Sequence, residues 1–324
     1  MTTKEKLLEL FESGRGTYYS GEEIARRLCV SRAAVWKAVQ TLRQEGYPID
    51  AVTNRGYCLA GQTDILSVQG VRKYLNRAAR EIPLTVLSTV ASTNAAVRDA
   101  AAQGAPEGFT VLASEQSAGR GRYGRVFFSP RDTGIYMSVL LRPVRYAPRQ
   151  AAKLTAVAAV AMCEAIEAVS GEETRIKWVN DIFVRGKKVC GILTEASFDM
   201  ESGALESAVV GVGVNVYPPK DGFPPELESI AGAVFDQPRD DGKNRLAGEF
   251  LGRFLEYYRA PERTDYVEAY RRRSMLDGKP ITVLRGGESR SAVACGIDGE
   301  CRLLVRYDDG RTDCLSYGEV QIRI

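Results

Sequence analysis

The chain has 324 residues, carries a formal net charge of only +3 and contains no histidine. The near-neutral balance excludes a global basic field, so any nucleic-acid surface must be local. The missing histidine excludes His-dependent triads, His metal sites and the usual general base, leaving Lys, Arg, Asp, backbone groups or a bound cation for any chemistry. The seven cysteines are irregularly spaced with no Cys-x-x-Cys, which suits free thiols in a reducing cytoplasm better than a disulfide framework. The N-terminus has no apolar signal core, and the most apolar stretch, residues 151–169, carries Lys153, Glu164 and Glu167. That stretch reads as a buried or amphipathic helix and not as a membrane span, so no membrane association is expected.

Residues 1–63 read as a small helical module ending in a hairpin. Leu7, Leu8 and Phe11 share one helical face. Ser20 is an N-cap candidate with Glu23 as its capping-box partner, and Ile24 and Leu28 follow on one inner face. Ser31 caps a third helix whose Val35, Val39 and Leu42 fall at i, i+4 and i+7. That helix carries Arg32, Lys37 and Arg43 and no acid, and Gly46 ends it. Residues 49–52 and 57–59 flank Thr53-Asn54-Arg55-Gly56, a hairpin with a basic tip. The pattern is a winged helix-turn-helix, with the third helix in a major groove and Arg55 on a phosphate. A protein-interaction module with a solvated basic face is the alternative. DNA is favoured because the second helix keeps its acids while the third has none.

Residues 64–275 alternate strand-like runs (84–87, 109–113, 135–141, 177–179, 182–184, 188–195 and 208–216) with helix-like runs (93–103, 149–169, 241–259 and 264–274). A mixed α/β domain with its own core is predicted. Its most informative stretch is Gly-Arg-Gly-Arg-Tyr-Gly-Arg at 119–125. Glycine allows close backbone approach and arginine supplies forked donors, so the loop is suited to a polyanionic small molecule. A solvated Arg/Gly turn is the plain alternative. The loop matches Gly-x-Gly-x-x-Gly literally, but Val126-Phe127-Phe128-Ser129-Pro130 cannot open the helix a dinucleotide fold needs. Arg125 and Val126 stand where a P-loop needs Lys and Ser/Thr.

Four other clusters carry polar chemistry. Ser92-Thr93-Asn94 follows a strand and opens a helix, as a plain N-cap would. Gln116 lies between a strand and the 119–125 loop. Lys177-Trp178-Val179-Asn180-Asp181 ends a strand in a tight turn, and a hairpin away residues 188–195 carry Lys188 and a permissive Gly191. Residues 211–215, Gly-Val-Gly-Val-Asn, end an apolar strand, and Pro218-Pro219 forbids a Rossmann helix after it. Residues 276–324 change to short runs (281–284, 291–295, 301–307, 313–316 and 320–324) punctuated by Gly286-Gly287, Asp298-Gly299 and Asp309-Gly310. A five-stranded small barrel without a chemical constellation is expected.

In this order the motifs resemble the biotin protein ligases, and within them the bifunctional type that is also the biotin operon repressor. The resemblance covers nearly the whole chain, including Ser20-Gly21-Glu22 and residues 31–43; Val179 departs from it, standing where the family usually has proline. It implies an α+β multidomain fold: a winged helix-turn-helix over 1–63, a mixed α/β ligase domain over 64–275 and an SH3-like C-terminal β-barrel over 276–324. It implies that biotin and ATP are substrates, joined as biotinoyl-5′-AMP with Mg²⁺ on the phosphates. Biotin then passes to a lysine of the biotin carboxyl carrier protein of acetyl-CoA carboxylase. Lys188, Arg120 and Arg122 would neutralise the reacting anions, and Asp181 would orient or deprotonate the acceptor amine or simply hold its turn. Ser92, Thr93 and Gln116 would orient the ureido ring, with Asn94, Gly121, Trp178, Gly191 and Asn215 completing the substrate site. No protein-bound metal and no permanently bound cofactor are expected. Operator DNA would meet Gly21, Ser31, Arg32, Ala33, Trp36, Lys37, Gln40, Arg43 and Arg55, in a homodimer formed on adenylate binding. A non-catalytic ligand-sensing regulator, a lipoate ligase and a ligase with a non-DNA-binding N-terminal module are the alternatives.

Overall fold

The computed structural model describes all residues except 144–150, 199–200, 202, 286, 317 and 323–324. The chain divides into two units, Met1–Asn76 with Gln237–Glu249, and Arg77–Asp236 with Phe250–Ile324.

The first unit begins with α1 (Thr3–Ser13), α2 (Gly21–Leu28) and α3 (Arg32–Gln44), followed by the hairpin of β1 (Ile49–Val52) and β2 (Gly56–Leu59) and by α4 (Val68–Arg72). Each of the first three helices starts at a hydroxyl cap: Thr2, Ser20 and Ser31 accept from Glu5, Glu23 and Ala34 backbone N–H groups. The capping box is complete at Thr2. At Ser20, the Glu23 carboxylate pairs with Arg27 one turn on, at 2.6 Å. Leu7, Phe11, Ile24, Val35, Val39, Leu42, Ile49 and Leu59 form one core, so the helical spacing read in the sequence is the buried stripe. Gly56, at φ 99°, turns β2 against Tyr19; a Cβ there would lie 2.1 Å from the Tyr19 carbonyl.

Residues 240–244 join this unit through a cluster of charge. Asp241 pairs with Arg15 at 2.8 Å and with Lys73 at 2.6 Å, and Glu12 takes the same two cations at 2.7 Å each. Tyr74 and Asn244 donate to the Asp241 carboxylate. Burial works against the Asp241 charge, but bonds from Lys73, Tyr74 and Asn244 and the nearby Arg15 hold its pKa below the ordinary 3.8.

The second unit holds a seven-stranded sheet. In chain order its elements are β3 (Leu84–Leu87), α5 (Thr93–Ala102), β4 (Thr110–Ala113), β5 (Gly134–Leu141), α6 (Ala151–Ser170), β6 (Thr174–Lys177), β7 (Asp181–Val184), β8 (Lys187–Phe198), β9 (Leu205–Asn215) and the short α7 (Pro225–Glu228). Then α8 (Gly242–Arg259), whose first eight residues belong to the first unit, leads to α9 (Asp265–Arg273). The strand order is β3-β4-β5-β9-β8-β7-β6, parallel between β3 and β4 and antiparallel elsewhere. All eight residues of β5 are buried, as expected of a central strand covered on both faces. The helix expected over 149–169 is α6; its expected first two residues lie outside the described residues.

The C-terminal segment forms β10 (Pro280–Arg285), β11 (Glu288–Ile297), β12 (Leu303–Tyr307), β13 (Thr312–Leu315) and β14 (Glu319–Ile322). The hairpins predicted at Asp298-Gly299 and Asp309-Gly310 are present, joining β11 to β12 and β12 to β13. The closed SH3-like barrel is not. The order β13-β12-β11-β10-β14 leaves β13 and β14 as opposite edges of an open sheet among the described residues. A bulge between Ala294 and Gly296 bends β11, but closure would need a ladder between the two four-residue edge strands, and they do not pair.

Candidate active site

A cavity of about 460 Å³ opens in the second unit where the 119–125 loop meets the turn after β6, the start of β8 and the C-terminal strand β14. The loop is a small hairpin of its own. Gly121 N–H donates to the Arg125 carbonyl at 2.8 Å and Phe127 N–H to the Gly119 carbonyl at 3.0 Å, with Tyr123 in the left-handed region at φ 57°.

Of the residues singled out in the sequence, Arg120, Gly121, Arg122, Trp178, Asp181, Lys188, Gly191 and Asn215 line this cavity. Lys188 Nζ and Asp181 Oδ1 form an ion pair of 2.7 Å, both side chains partly exposed. The Arg122 guanidinium donates to Asn180 Oδ1 at 3.1 Å and to the Gly318 carbonyl at 2.8 Å. Arg125 reaches both Glu319 carboxylate oxygens. The C-terminal sheet thus supplies anchors for the loop. The buried Trp178 indole is tied to the same sheet, its Nε1 donating to the Cys301 carbonyl at 3.0 Å. Asn215 is spent on structure, its amide donating to the Gly232 carbonyl at 3.0 Å.

Two glycines shape the cavity floor. A Cβ at Gly191 would lie 3.1 Å, and one at Gly213 2.4 Å, from the Phe127 ring, so the ring lies directly on bare backbone. Cys190 beside Gly191 is fully buried, and burial pushes its thiol well up, so it stays protonated and unreactive. Burial also pushes the Tyr270 phenol well up; its hydroxyl donates to the Val179 carbonyl at 3.1 Å and braces the turn before Asp181.

Ser92, Thr93, Asn94 and Gln116 do not line the cavity. They form a buried polar cluster linked to its wall. Ser92 caps α5. The Gln116 amide accepts from Thr93 N–H at 2.9 Å and donates to Ser129 Oγ at 3.1 Å, and Ser129 donates to the Phe127 carbonyl at 2.8 Å. Asn94 is 7% exposed and fully engaged, donating to Glu195 at 2.6 Å and meeting Ser138 Oγ at 2.6 Å. Sequence reasoning missed Ser138, Phe127 and Glu319 and marked Glu195 only as the end of the 188–195 run. Ser138 left a signal, as the one serine in the apolar run 135–141.

In the first unit, a groove of about 670 Å³ runs between α3 and the hairpin, lined by Ser20, Gly21, Arg32, Ala33, Trp36 and residues 51–54. Ser31, Arg32, Ala33 and Lys37 are exposed, Trp36 is 58% exposed, and Gln40 is half-buried. Arg55 stacks its guanidinium 4.1 Å from the Tyr18 ring centroid. Arg43 is engaged elsewhere: Nε and Nη2 both donate to the Ile49 carbonyl, bracing the hairpin. Among the described residues no helix is long and apolar enough to cross a membrane, and no group of three or more Cys, Asp or Glu side chains could hold a metal ion.

Family profiles match in three places: the biotin/lipoate A/B protein ligase family over residues 86–215, a helix-turn-helix domain over 3–58 and the biotin protein ligase C-terminal domain over 278–323. The bifunctional ligase/repressor BirA of Bacillus spizizenii is 40% identical over 230 residues, 71% of this chain and 70% of that protein. The bifunctional ligase/repressor BirA of Escherichia coli is 27% identical over 329 residues, covering 99% of this chain and 98% of its own length. At the level of fold alone, the biotin protein ligase of Aquifex aeolicus solved with biotin and ATP superposes with a TM-score of 0.62 at 24% identity, over 74% of this chain and 98% of that one. By its matched profiles, its identity to the Bacillus protein and the architecture around its cavity, the chain belongs to the bifunctional biotin protein ligase/repressor family.

Proposed function

We propose that this protein activates biotin with ATP and transfers the biotinoyl group to one lysine of a biotin carboxyl carrier protein, and that its N-terminal module represses biotin-synthesis genes when the adenylate is bound. The observation that carries the reading is the cavity in which Lys188, Arg120 and Arg122 face an aromatic floor of Trp178 and Phe127. An apolar acid with an anionic head needs that pairing.

In the first step a carboxylate oxygen of biotin attacks the α-phosphorus of ATP; an O–P bond forms and the bond to pyrophosphate breaks. Both reactants are anions, so fixed cations are what the site must supply. Lys188 serves as the central one, held by Asp181 at 2.7 Å until the substrate carboxylate arrives. Arg120 and Arg122 cover the phosphates from the loop. Gly121 and Gly191 let backbone approach the adenylate, and Ser92, Thr93, Asn94 and Gln116, outside the cavity lining, back its Phe127 wall through Ser129 at the end proposed for the ring. Mg²⁺ fits as an ion carried in on ATP: the cavity offers Asp181 and Glu319 as lone acids, each already paired with a cation. When bound, it would offset charge on the leaving pyrophosphate.

In the second step the neutral amine of the carrier lysine attacks the acyl carbon, the C–O bond to AMP breaks and the amine loses its proton. Asp181 is the carboxylate at hand to orient that amine or take the proton. On this reading the functional blocks are 1–63 for DNA, 64–275 for ligation and 276–324 for closing the site. Two recognition helices reading a palindromic operator require a homodimer. Scattered single cysteines suit a reducing compartment, so the proposal places the protein in the cytoplasm.

Biotin-dependent exchange of label between pyrophosphate and ATP tests the reading. Exchange with biotin and none with lipoate is expected; lipoate-dependent exchange, or none with either acid, would overturn it.

A further inference from the structure

Lys177 lines the cavity without a partner there. Five cations, Arg120, Arg122, Arg125, Lys177 and Lys188, face two acids, Asp181 and Glu319. Both acids are taken, Asp181 by Lys188 at 2.7 Å and Glu319 by Arg125 at 2.8 Å. Arg122 is engaged by Asn180 and the Gly318 carbonyl. The Lys177 ammonium has no hydrogen-bond or ion-pair partner among the described residues, although the residue is half-buried. A partly desolvated ammonium inside a cavity is unfavourable until an anion reaches it.

Strand register gives the cavity a direction. Lys177, at the end of β6, stands opposite Asp181 on β7; Asp181 stands opposite Gly191 on β8, and Gly191 opposite Gly213 on β9. Directly opposed residues of antiparallel strands share one face of the sheet, so these four form a row across it. The Phe127 ring lies on the two glycines at one end. The Lys188–Asp181 pair stands in the middle, and Lys177 at the far end, on the edge strand. An acid whose apolar body lies against Phe127 brings its carboxylate to Lys188. Attacking and leaving oxygens are in line at phosphorus, so the oxygen that leaves points away from the carboxylate, along the row towards Lys177.

Resting on the proposed biotin chemistry, we infer that Lys177 is a catalytic residue of the first step, the cation that receives the leaving pyrophosphate. When the bond between the α-phosphorus and its bridging oxygen breaks, the electron pair stays on that oxygen and the departing pyrophosphate gains a negative charge. The Lys177 ammonium meets that charge without giving up a proton. The second step releases AMP with no pyrophosphate in the cavity, so it makes no use of Lys177. This asymmetry separates the role from a structural one: a lysine that only shaped the turn before Asp181 would serve both steps alike.

Running the two steps apart on the full chain tests this. Lys177→Met and Lys177→Arg are compared with the parent in biotin-dependent pyrophosphate exchange at saturating Mg²⁺, and in transfer to a carrier domain from supplied biotinoyl-5′-AMP without ATP. Lys177→Met is expected to lower exchange, as kcat over the pyrophosphate KM, by about ten- to a hundredfold, the loss of one charge-assisted contact. Its biotin KM and its transfer rate from the adenylate are expected to stay within about twofold of the parent's. Lys177→Arg keeps the charge and is expected to recover most of the exchange. Exchange at the parent's level in Lys177→Met, a loss of transfer equal to the loss of exchange, or no recovery with arginine would overturn the assignment. Failure of the unsubstituted protein to show biotin-dependent exchange would instead overturn the biotin reading on which it rests.

Discussion

Lys188 and Asp181 show how little chemistry a residue carries until its neighbours are known. In the sequence Lys188 is one of 44 basic residues; in the fold it stands 2.7 Å from Asp181 in a cavity that also holds Arg120 and Arg122. On the proposed chemistry, replacing it with alanine removes the central cation where two anions must meet. Lys188→Ala is expected to lower biotin-dependent pyrophosphate exchange at least about a hundredfold, with a melting temperature close to the parent's because the side chain is partly exposed. Exchange within a few-fold of the parent would remove Lys188 from the reaction. Asp241 makes the contrasting case, a carboxylate whose work is structural. Its pKa is lowered in the fold, so the unfolded chain binds its proton more readily. Its contribution to stability is therefore complete above its ordinary 3.8 and lost as pH falls through the lower folded value. Asp241→Asn is expected to cost about 2 kcal/mol at neutral pH and to flatten the acid limb of a stability–pH curve measured by urea unfolding. Equal stability at neutral pH would show that the cluster contributes nothing.

At the scale of elements, the local signals and the non-local ones parted company. Caps, helical stripes and tight turns are written in neighbouring residues, so α3 with its buried Val35, Val39 and Leu42 was legible, as was the hairpin at Asp309-Gly310. Arg43 sits on the same helix as Arg32 with the same charge, yet it braces the Ile49 carbonyl; nothing in the spacing separates a strut from a free cation. Barrel closure failed to be legible for the same reason: turn residues fix each hairpin, while closure depends on whether strands at opposite edges meet. The exposed Arg32 beside the groove gives the element-level prediction. Arg32→Ala should weaken operator binding at matched salt by about tenfold and leave carrier biotinylation at the parent's rate, as read by gel shift and ligation assay in parallel. Unchanged operator affinity would move the DNA surface away from the start of α3.

Across the whole molecule, the site is assembled from segments far apart in the chain. The loop at 119–125 was marked by its own glycines and arginines, and Asp181, Lys188 and Gly191 by short motifs whose order carries the family resemblance; the fold brings them to one cavity. Glu319 and Gly318 were not, because they reach the loop only through the C-terminal sheet. Ser138 and Glu195 lie behind the site by virtue of strand register, Ser138 opposite Gly211 and Gly211 opposite Leu193, a relation no linear reading contains. The same distribution lets one chain serve the two tasks proposed for it, with a cavity in one unit and the groove beside α3 in the other. The central claim is the ligation itself. Intact-mass measurement of a carrier domain incubated with this protein, biotin, ATP and Mg²⁺ tests it directly: the account predicts a gain of one biotinoyl group, on one lysine, that requires ATP. A folded carrier whose mass does not change would contradict it.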